Sequence, residues 1–539
     1  MYQVPNYTET VSMKLSEVLA DIGVDERIVM KKRRTWLLVE SIHNLNYQLL
    51  DKKLKGYIFG SQSECTTTIG MKSDIDHLIC LKIFPAIQDW SDWIPGVHNH
   101  LMIQDNSISP GYCLLQVLKP DAPLPADGEF DQDLFKEITG KLFLKNSIIS
   151  SVNTDGLELH GPAYAQQGQQ GYSDKDSVLA LHCTTWPQQA RQWLVQQGAG
   201  QWPSAEMKQY CSKTGCFVVP VGCSGSGYEQ LEWRISTSLT ERCLMFSLNM
   251  TQIRCYVLMK IILKTFINPL FNDVITSFMC KTVLFHCISN THSNIWRENN
   301  LLSCLSLCLY LLYNNIINEN CPHFIIPGNN LMRGNILPAV KPYILEMLNN
   351  IINSEGVAIL RIKCDGLGSR LHLKFYNFCP IKTIDSISGT LLCNLAYKIS
   401  ETLTHTYNHL KNRSPNEAVK ILKNTIPKSF NFQYEGLYKT ASHLLLPWYC
   451  TILGSVLASL NIYHYNTVSA DALKLISLGM NTDVASSKLK LASILYCVQE
   501  IQKADSVLSE IERRYDLQIV EPVCSCYIFE KETIKTRIL

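Results

Sequence analysis

The run DIDHLICL, Asp74 to Leu81, reads as a buried β-strand except that two carboxylates stand one residue apart at its head. Side chains two apart on a strand share a face and lie about 7 Å apart along the backbone, so Asp74 and Asp76 project together. Two carboxylates that close repel unless a cation sits between them, and hard oxygen donors of this kind suit Mg²⁺ or Mn²⁺. A pair of such ions about 3.5–4 Å apart can activate an attacking hydroxyl and neutralise a leaving phosphate in an in-line displacement. The geometry requires a third carboxylate from a neighbouring strand. Upstream, the apolar run YIFG ends in Gly60-Ser61. A strand that turns into a helix there lets backbone N–H groups and a hydroxyl approach a triphosphate. A solvated edge strand would also carry two acids, but the apolar character of HLICL and the matching Gly-Ser favour metal binding.

A chain of 539 residues, 46% of them hydrophobic, exceeds one ordinary domain and can bury more than one core. Lysine and arginine number 49 against 47 acids, a net charge of +2, which excludes a globally basic nucleic-acid binder and an acidic tail. Any polyanion site must be a local patch. The 21 cysteines are scattered and odd in number, and the first thirty residues are polar and amphipathic rather than a secretory leader. Reduced thiols in the cytoplasm, with the nucleus as a further compartment, are expected. The most membrane-like run, LLSCLSLCLYLLY from Leu301, is shorter than the roughly 20 apolar residues a bilayer span needs. It reads as a buried helix, and no membrane association is expected.

Residues 9 to 50 carry helical periodicity through Val11, Leu15, Val18 and Leu19, then Trp36, Leu37, Ile42 and Leu45, as for one or two helices packed on a sheet. From Tyr57 to about Gly222, β-prone runs dominate: YIFG, DHLICLKI, CLLQVL, SVLALHC and CFVVPV. The inserts KPDAPLPADGEFD and AYAQQGQQGYSD read as surface loops. From Glu229 onward the chain reads as mostly helical, with a second boundary near 355 to 385. In the last third, Ala492, Tyr496, Ala504 and Leu508 have the small-large spacing of a tetratricopeptide-type helix pair, which a plain helical bundle would share.

Gly-Ser followed by Asp-x-Asp on an apolar strand is the pattern of polymerase-beta-type nucleotidyltransferases. The ordered set GPA at Gly161, DSVLALHCTTWP at Asp176, EWRISTS at Glu232, LMK at Leu258, KTVLFHC at Lys281 and FIIPGNNLM at Phe324 makes the likeness more specific. Together these resemble the Mab-21 (male-abnormal) domain family, which includes cyclic GMP-AMP synthase and the cGAS-like receptors of invertebrates. The likeness runs from about residue 30 to about residue 350, and the helical tail beyond resembles that of invertebrate members.

The resemblance implies an α+β fold. Residues 1–225 would form a polymerase-beta-like nucleotidyltransferase core with an N-terminal spine helix, 226–370 a helical second lobe, and 371–539 an all-helical, tetratricopeptide-like extension. It implies that Asp74, Asp76 and Asp176 bind the catalytic Mg²⁺ or Mn²⁺, with Asp174 a weaker alternative for the third. Gly60 and Ser61 would cradle a triphosphate, Arg234 and Ser236 would contact bases or phosphates, and Lys260 and Ser277 would bind phosphate. Phe278 stands where the family stacks an aromatic on a nucleobase. For Arg234, Lys260 and Phe278 the residues alone also fit an ion pair, a solvated helix lysine and a core aromatic.

The sequence departs from the family in two places. Ser63-Glu64-Cys65 replaces a common Ser-Glu-Gly, and a cysteine lacks glycine's freedom at positive φ. Where the family's vertebrate DNA sensor carries a His-Cys-Cys-Cys zinc thumb just before the LMK helix, the segment SLNMTQIRCYVLMK holds only Cys255, so no structural zinc is expected. The spacings Cys211, Cys216, Cys223 and Cys524, Cys526 likewise lack the paired geometry of structural zinc and read as free thiols. The basic run Lys31, Lys32, Arg33 and Arg34 is either a solvated helix face or a site neutralising the phosphates of double-stranded nucleic acid. The expected activity is synthesis of a cyclic dinucleotide second messenger from two nucleoside triphosphates in innate immune sensing, switched on by a ligand such as double-stranded RNA or DNA. The alternative is an inactive nucleotide-binding or protein-interaction scaffold, with the helical tail holding a protein partner.

Overall fold

The computed structural model describes residues 7–127, 133–138, 140–149, 158–168, 173–271, 274–334, 336–376, 378, 384–411, 413–429, 435–480 and 486–514. Two helices open the chain, α1 (Tyr7–Asp21) and α2 (Glu26–Leu49), where the apolar periodicity places them. Twelve strands follow: β1 (Leu54–Phe59), β2 (Ile75–Leu81), β3 (Ala86–Ile87), β4 (His100–Ile103), β5 (Tyr112–Val117), β6 (Leu134–Lys136), β7 (Leu142–Leu144), β8 (Glu158–His160), β9 (Ala163–Gln166), β10 (Lys175–Cys183), β11 (Cys216–Val219) and β12 (Glu232–Ser236). Between them lie the short helices α3 (Gly60–Glu64), α4 (Arg191–Val195) and α5 (Ala205–Ser212). The main path through the sheet runs β1-β2-β10-β11-β12-β5-β4-β3.

Every β-prone run quoted above is a strand, but β12 falls in the part read as helical, so the sheet continues past the expected core boundary at residue 225. Five residues are too few to show a period. Slotted between β11 and β5, they alternate, with Trp233 and Ile235 buried and Arg234 exposed on the opposite face.

Helices then dominate: α6 (Ser238–Phe246), α7 (Met250–Ile262), α8 (Asn268–Phe271), α9 (Ser277–Asn290), α10 (Leu301–Ile317), α11 (Lys341–Asn353) and α12 (Leu367–Phe375). Helix α7 starts in a reciprocal capping box between Asn249 and Gln252 and is buried along almost its whole length. It packs with α9 and α10 in the core that also takes α1. The helical stretches Glu298–Ile317 and Gly436–Tyr465 are long and apolar enough to cross a membrane, so length alone does not make the Leu301 run a core helix. Its burial does: Leu301, Leu305, Leu309 and Leu312 lie within the apolar core.

The remaining helices are α13 (Ile384–Lys411), α14 (Pro415–Ser429), α15 (Gly436–Tyr465), α16 (Ala470–Gly479), α17 (Ser486–Cys497) and α18 (Ile501–Arg514). By contacts the chain divides into two compact units, 1–33 with 57–387, and 34–56 with 388–539. The first contains α1, the start of α2, nearly all of the sheet and the helices α3 through α12, while α2 from Arg34 onward belongs to the second. The second has its own core of Ile42, Leu45, Leu49, Leu410, Leu422, Leu445 and Tyr449. Inside it the Asn46 side-chain oxygen accepts from Tyr449 Oη at 2.5 Å and Thr406 Oγ1 at 2.9 Å, so the buried amide oxygen is satisfied.

Helices α17 and α18 pack against each other as a pair. Ala492 and Ala504 are buried, whereas Tyr496 at 67% and Leu508 at 40% exposure are not the packed large residues that the repeat reading needs. Among the described residues every cysteine is a free thiol. Cys524 and Cys526 and parts of both inserts lie outside the described residues.

Candidate active site

Strand β2 pairs in parallel with β10, and the register sets Asp176 opposite Asp76 and Lys175 opposite Ile75. Directly paired residues present their side chains on one face, and Asp74 lies two before Asp76, so all three acids share that face. Asp76 lies on β2 and Asp74 just before it, and both keep solvent-exposed surface. Desolvation raises the Asp74 pKa, helped by Asp176 and Asp174 and opposed by Lys264. Asp76 is pushed up to about 6, first by desolvation, then by Glu64 and Asp176, with Lys281 pulling the other way. Asp174, the weaker alternative, has its carboxylate turned to the Gly168 amide at 2.7 Å. Carboxylates brought to one face of adjacent strands, two of them with raised pKa, are the hard oxygen donors a divalent cation neutralises, and in that chemistry the trio fits Mg²⁺ or Mn²⁺. Among the described residues no three His, Cys, Asp or Glu side chains stand close enough as arranged to grip an ion.

Gly60 and Ser61 begin α3 at the end of β1, as the strand-to-helix turn requires. Gly60 has φ +69°, and a Cβ there would sit 1.6 Å from Asp76 Oδ2. The glycine therefore serves two ends: a left-handed backbone and room for the carboxylate of the next strand. Gly60→Ala is expected to lose about 1–3 kcal/mol of unfolding free energy in a denaturant titration, because the methyl must displace Asp76 and the backbone must hold αL. Cys65, where a glycine was expected, does adopt the left-handed conformation, with φ +62° at the C-cap of α3.

The α7 lysine reaches the same turn. Lys260 Nζ donates to Ser61 Oγ at 2.5 Å and to the Thr66 carbonyl at 3.0 Å, and burial pulls its pKa down to about 8. Arg234 projects from β12, its pKa lowered by desolvation despite solvent access at the guanidinium. Ser236 is held to Ser238 Oγ at 2.6 Å. Ser277 is exposed at the start of α9, and its carbonyl accepts from Tyr256 Oη at 3.0 Å. Phe278 is half-buried, its ring 5.5 Å from that of His323.

A chain of buried charge that the sequence reading missed runs behind these residues. Lys281 Nζ pairs with Glu64 Oε1 at 2.7 Å and lies 3.8 Å from Glu241 Oε2, and Glu241 Oε1 is 3.8 Å from His323 Nε2. Burial opposes the Lys281 charge, but Glu64 and Glu241 outweigh it and raise its pKa. His323 Nδ1 accepts from the amides of Ile325 and Ile326 at 3.1 and 3.0 Å, which requires an unprotonated nitrogen. Desolvation, then His286, Arg234 and Lys281, lower its pKa to about 3. A depressed histidine contributes stability that is full above the unfolded value near 6.5 and is lost as pH falls toward the folded value. His323→Asn, which keeps an acceptor for the two amides, is expected to flatten the pH dependence of unfolding free energy below 6.5 by up to about 1.4 kcal/mol per pH unit.

The basic run does not form a solvated face, which corrects the nucleic-acid expectation for half of it. Lys32 and Arg33 are buried: Lys32 Nζ donates to the Thr67 carbonyl at 3.3 Å, and Arg33 donates to the carbonyls of Met245 at 2.9 Å, Phe246 at 3.2 Å and Glu64 at 3.4 Å. As arranged, these side chains hold the protein's own backbone carbonyls instead of projecting into solvent. Lys31 and Arg34 are exposed.

Residues 251–339 match the model of the Mab-21 protein HhH/H2TH-like domain, a stretch that contains Lys260, Ser277, Phe278, Lys281 and His323. The chain is also 27% identical over 181 residues to a cyclic GMP-AMP synthase of Sus scrofa, over 30% of this chain and 36% of that protein's length.

Proposed function

We propose that the chain is a Mab-21/cGAS-like, divalent-metal-dependent nucleotidyltransferase that joins two nucleoside triphosphates into a cyclic dinucleotide, switched on by a ligand such as double-stranded nucleic acid, a reading the family match and the synthase likeness support. The observation that carries this reading is the register that sets Asp176 beside Asp76, with Asp74 on the same face and Gly60-Ser61 against them. Asp74, Asp76 and Asp176 would hold Mg²⁺ or Mn²⁺, which would supply charge neutralisation and activation of the attacking ribose hydroxyl.

The chain's own residues do the rest. Ser61 and Lys260 take the triphosphate; Lys260 is poised for this beside the hydroxyl it already contacts. Arg234 and Ser236 face the cleft from β12, Ser277 adds a hydroxyl, and Phe278 offers a ring face to a base. Alignment of the two reacting nucleotides follows from these fixed contacts. The setting we propose is cytoplasmic, with the nucleus as a further compartment, in keeping with the reduced thiols. The role is innate immune sensing, with a protein partner for the helical extension. The functional division in this reading is the expected core at 1–225 with β12 added to it, a helical lobe in the rest of 226–370 and an extension at 371–539.

Purified protein with Mg²⁺ or Mn²⁺, the four nucleoside triphosphates and double-stranded RNA or DNA is expected to yield a cyclic dinucleotide by mass spectrometry. Absence of product under every ligand, from protein that is folded, overturns the reading. The scaffold alternative has one observation in its favour, since the three acids are not drawn together as arranged. It predicts no Mg²⁺-dependent thermal stabilisation by nucleoside triphosphates, whereas the enzyme predicts a rise in Tm.

A further inference from the structure

We propose that Asp365 is a positioning residue that latches the loop between the Gly60-Ser61 turn and the acidic pair, an inference that rests on the nucleotidyl-transfer reading for its catalytic consequence. The loop from Cys65 to Ser73 must hold Ser61 and Asp74 at a fixed spacing, yet it has almost no regular structure beyond the single turn Ile69–Met71. It is fastened through its backbone carbonyls. Lys260 grips Thr66, Lys32 grips Thr67, Lys264 grips Met71, and the Gln62 amide grips Ser73 at 2.7 Å.

The tip is gripped by a carboxylate from nearly 300 residues away. Thr68 Oγ1 donates to Asp365 Oδ2 at 2.5 Å, and the Gly70 amide donates to Asp365 Oδ1 at 2.9 Å. Gly70 has no space for a side chain: a Cβ would lie 2.8 Å from Asp365 Oδ2 and 3.0 Å from its backbone nitrogen. Asp365 itself adopts φ +51°, a left-handed backbone that aspartate tolerates better than most residues with a Cβ, and its carbonyl is held by Arg370 Nε at 3.0 Å. A residue fixed in this way, whose side chain makes two bonds to one loop, is placed for that loop. Asp365 lies outside the 251–339 domain match, so the segment following that domain reaches back to control the spacing of the site. A displacement of about 1 Å at a reacting centre can cost about a hundredfold in rate, which makes the loop tip a place where one carboxylate matters.

The test uses the full chain with hydrogen exchange of the 65–73 peptide, read beside product formation. D365A removes both bonds. D365N keeps a carbonyl oxygen for Gly70 and offers its amide N–H to the Thr68 oxygen. D365A and Thr68→Val are expected to speed loop exchange about tenfold or more, and D365A to lower the rate of product formation by about ten- to a hundredfold with little change in KM, while D365N stays near wild type in both. Unchanged loop exchange in D365A and T68V overturns the latch, as does a D365N variant as impaired as D365A. Loosened exchange with unchanged product formation also overturns it as a positioning device. If wild-type protein makes no product, the nucleotidyl-transfer reading fails by itself, and loop exchange alone decides whether Asp365 holds the tip.

Discussion

Asp76→Asn is expected to abolish cyclic dinucleotide formation while leaving the protein as stable as before, or more so. Asparagine keeps the shape that fits against Gly60 but removes the charge that a divalent ion must share with Asp74 and Asp176. In the proposed two-metal site, losing one carboxylate would remove several kcal/mol of transition-state stabilisation, so product formation should fall by about a thousandfold or more. Stability moves the other way for an electrostatic reason. Without bound cation, Asp76 is held at about 6, above its ordinary value of 3.8, by desolvation and by Glu64 and Asp176. An acid whose folded value is raised is destabilising when ionised, and that penalty is full above about pH 6 and gone below the ordinary value. The variant should therefore match or exceed wild-type Tm at pH 7.5, and the gap should close as pH falls from 6 toward 4. A large loss of Tm in the variant at pH 7.5 would make Asp76 a structural residue and remove it from the proposed chemistry.

Much of the site is legible in the primary order because its geometry is local or periodic. Asp74 and Asp76 share a face since strand side chains repeat every two residues, and Gly60-Ser61 marks a strand-to-helix turn by residue type alone. The pairing that brings Asp176 to Asp76 joins strands a hundred residues apart, and only the family resemblance pointed to it. Periodicity records which face is buried when the buried residues are apolar. Lys32 and Arg33 defeat that logic, since a run of four cations carries no mark showing that two of them turn inward to satisfy backbone carbonyls. Strand β12 is hidden for another reason: its five residues acquire a strand's identity only from the ladders on both sides. Asp365 and Thr68 are 297 positions apart, and neither residue type announces the other.

The buried pair Lys281–Glu64 is the least legible feature and the one whose disruption should cost the most in stability. The two side chains are only 9% and 3% exposed and come from α9 and α3, so the pair ties the helical lobe to the turn that carries Ser61. Removing one partner of a buried pair strands the other charge in a low dielectric, at a cost of about 3–5 kcal/mol. Lys281→Met should show that loss in chemical denaturation, and Glu64→Gln a smaller one, because the amide can still accept from the ammonium. Glu241 lies 3.8 Å from the same ammonium and partly shields the stranded lysine in the Glu64 variant, whereas Glu64 loses its 2.7 Å partner in the Lys281 variant. The double variant Lys281→Met with Glu64→Leu removes both charges and fills similar volume, so it should recover much of the stability lost by Lys281→Met alone, as paired apolar replacements of buried ion pairs often do. Recovery of stability without recovery of product formation would show that the pair is kept for the placement of the turn rather than for the strength of the fold. Additive losses in the double variant would mean that the two charges do not act on each other, contrary to the 2.7 Å contact between them.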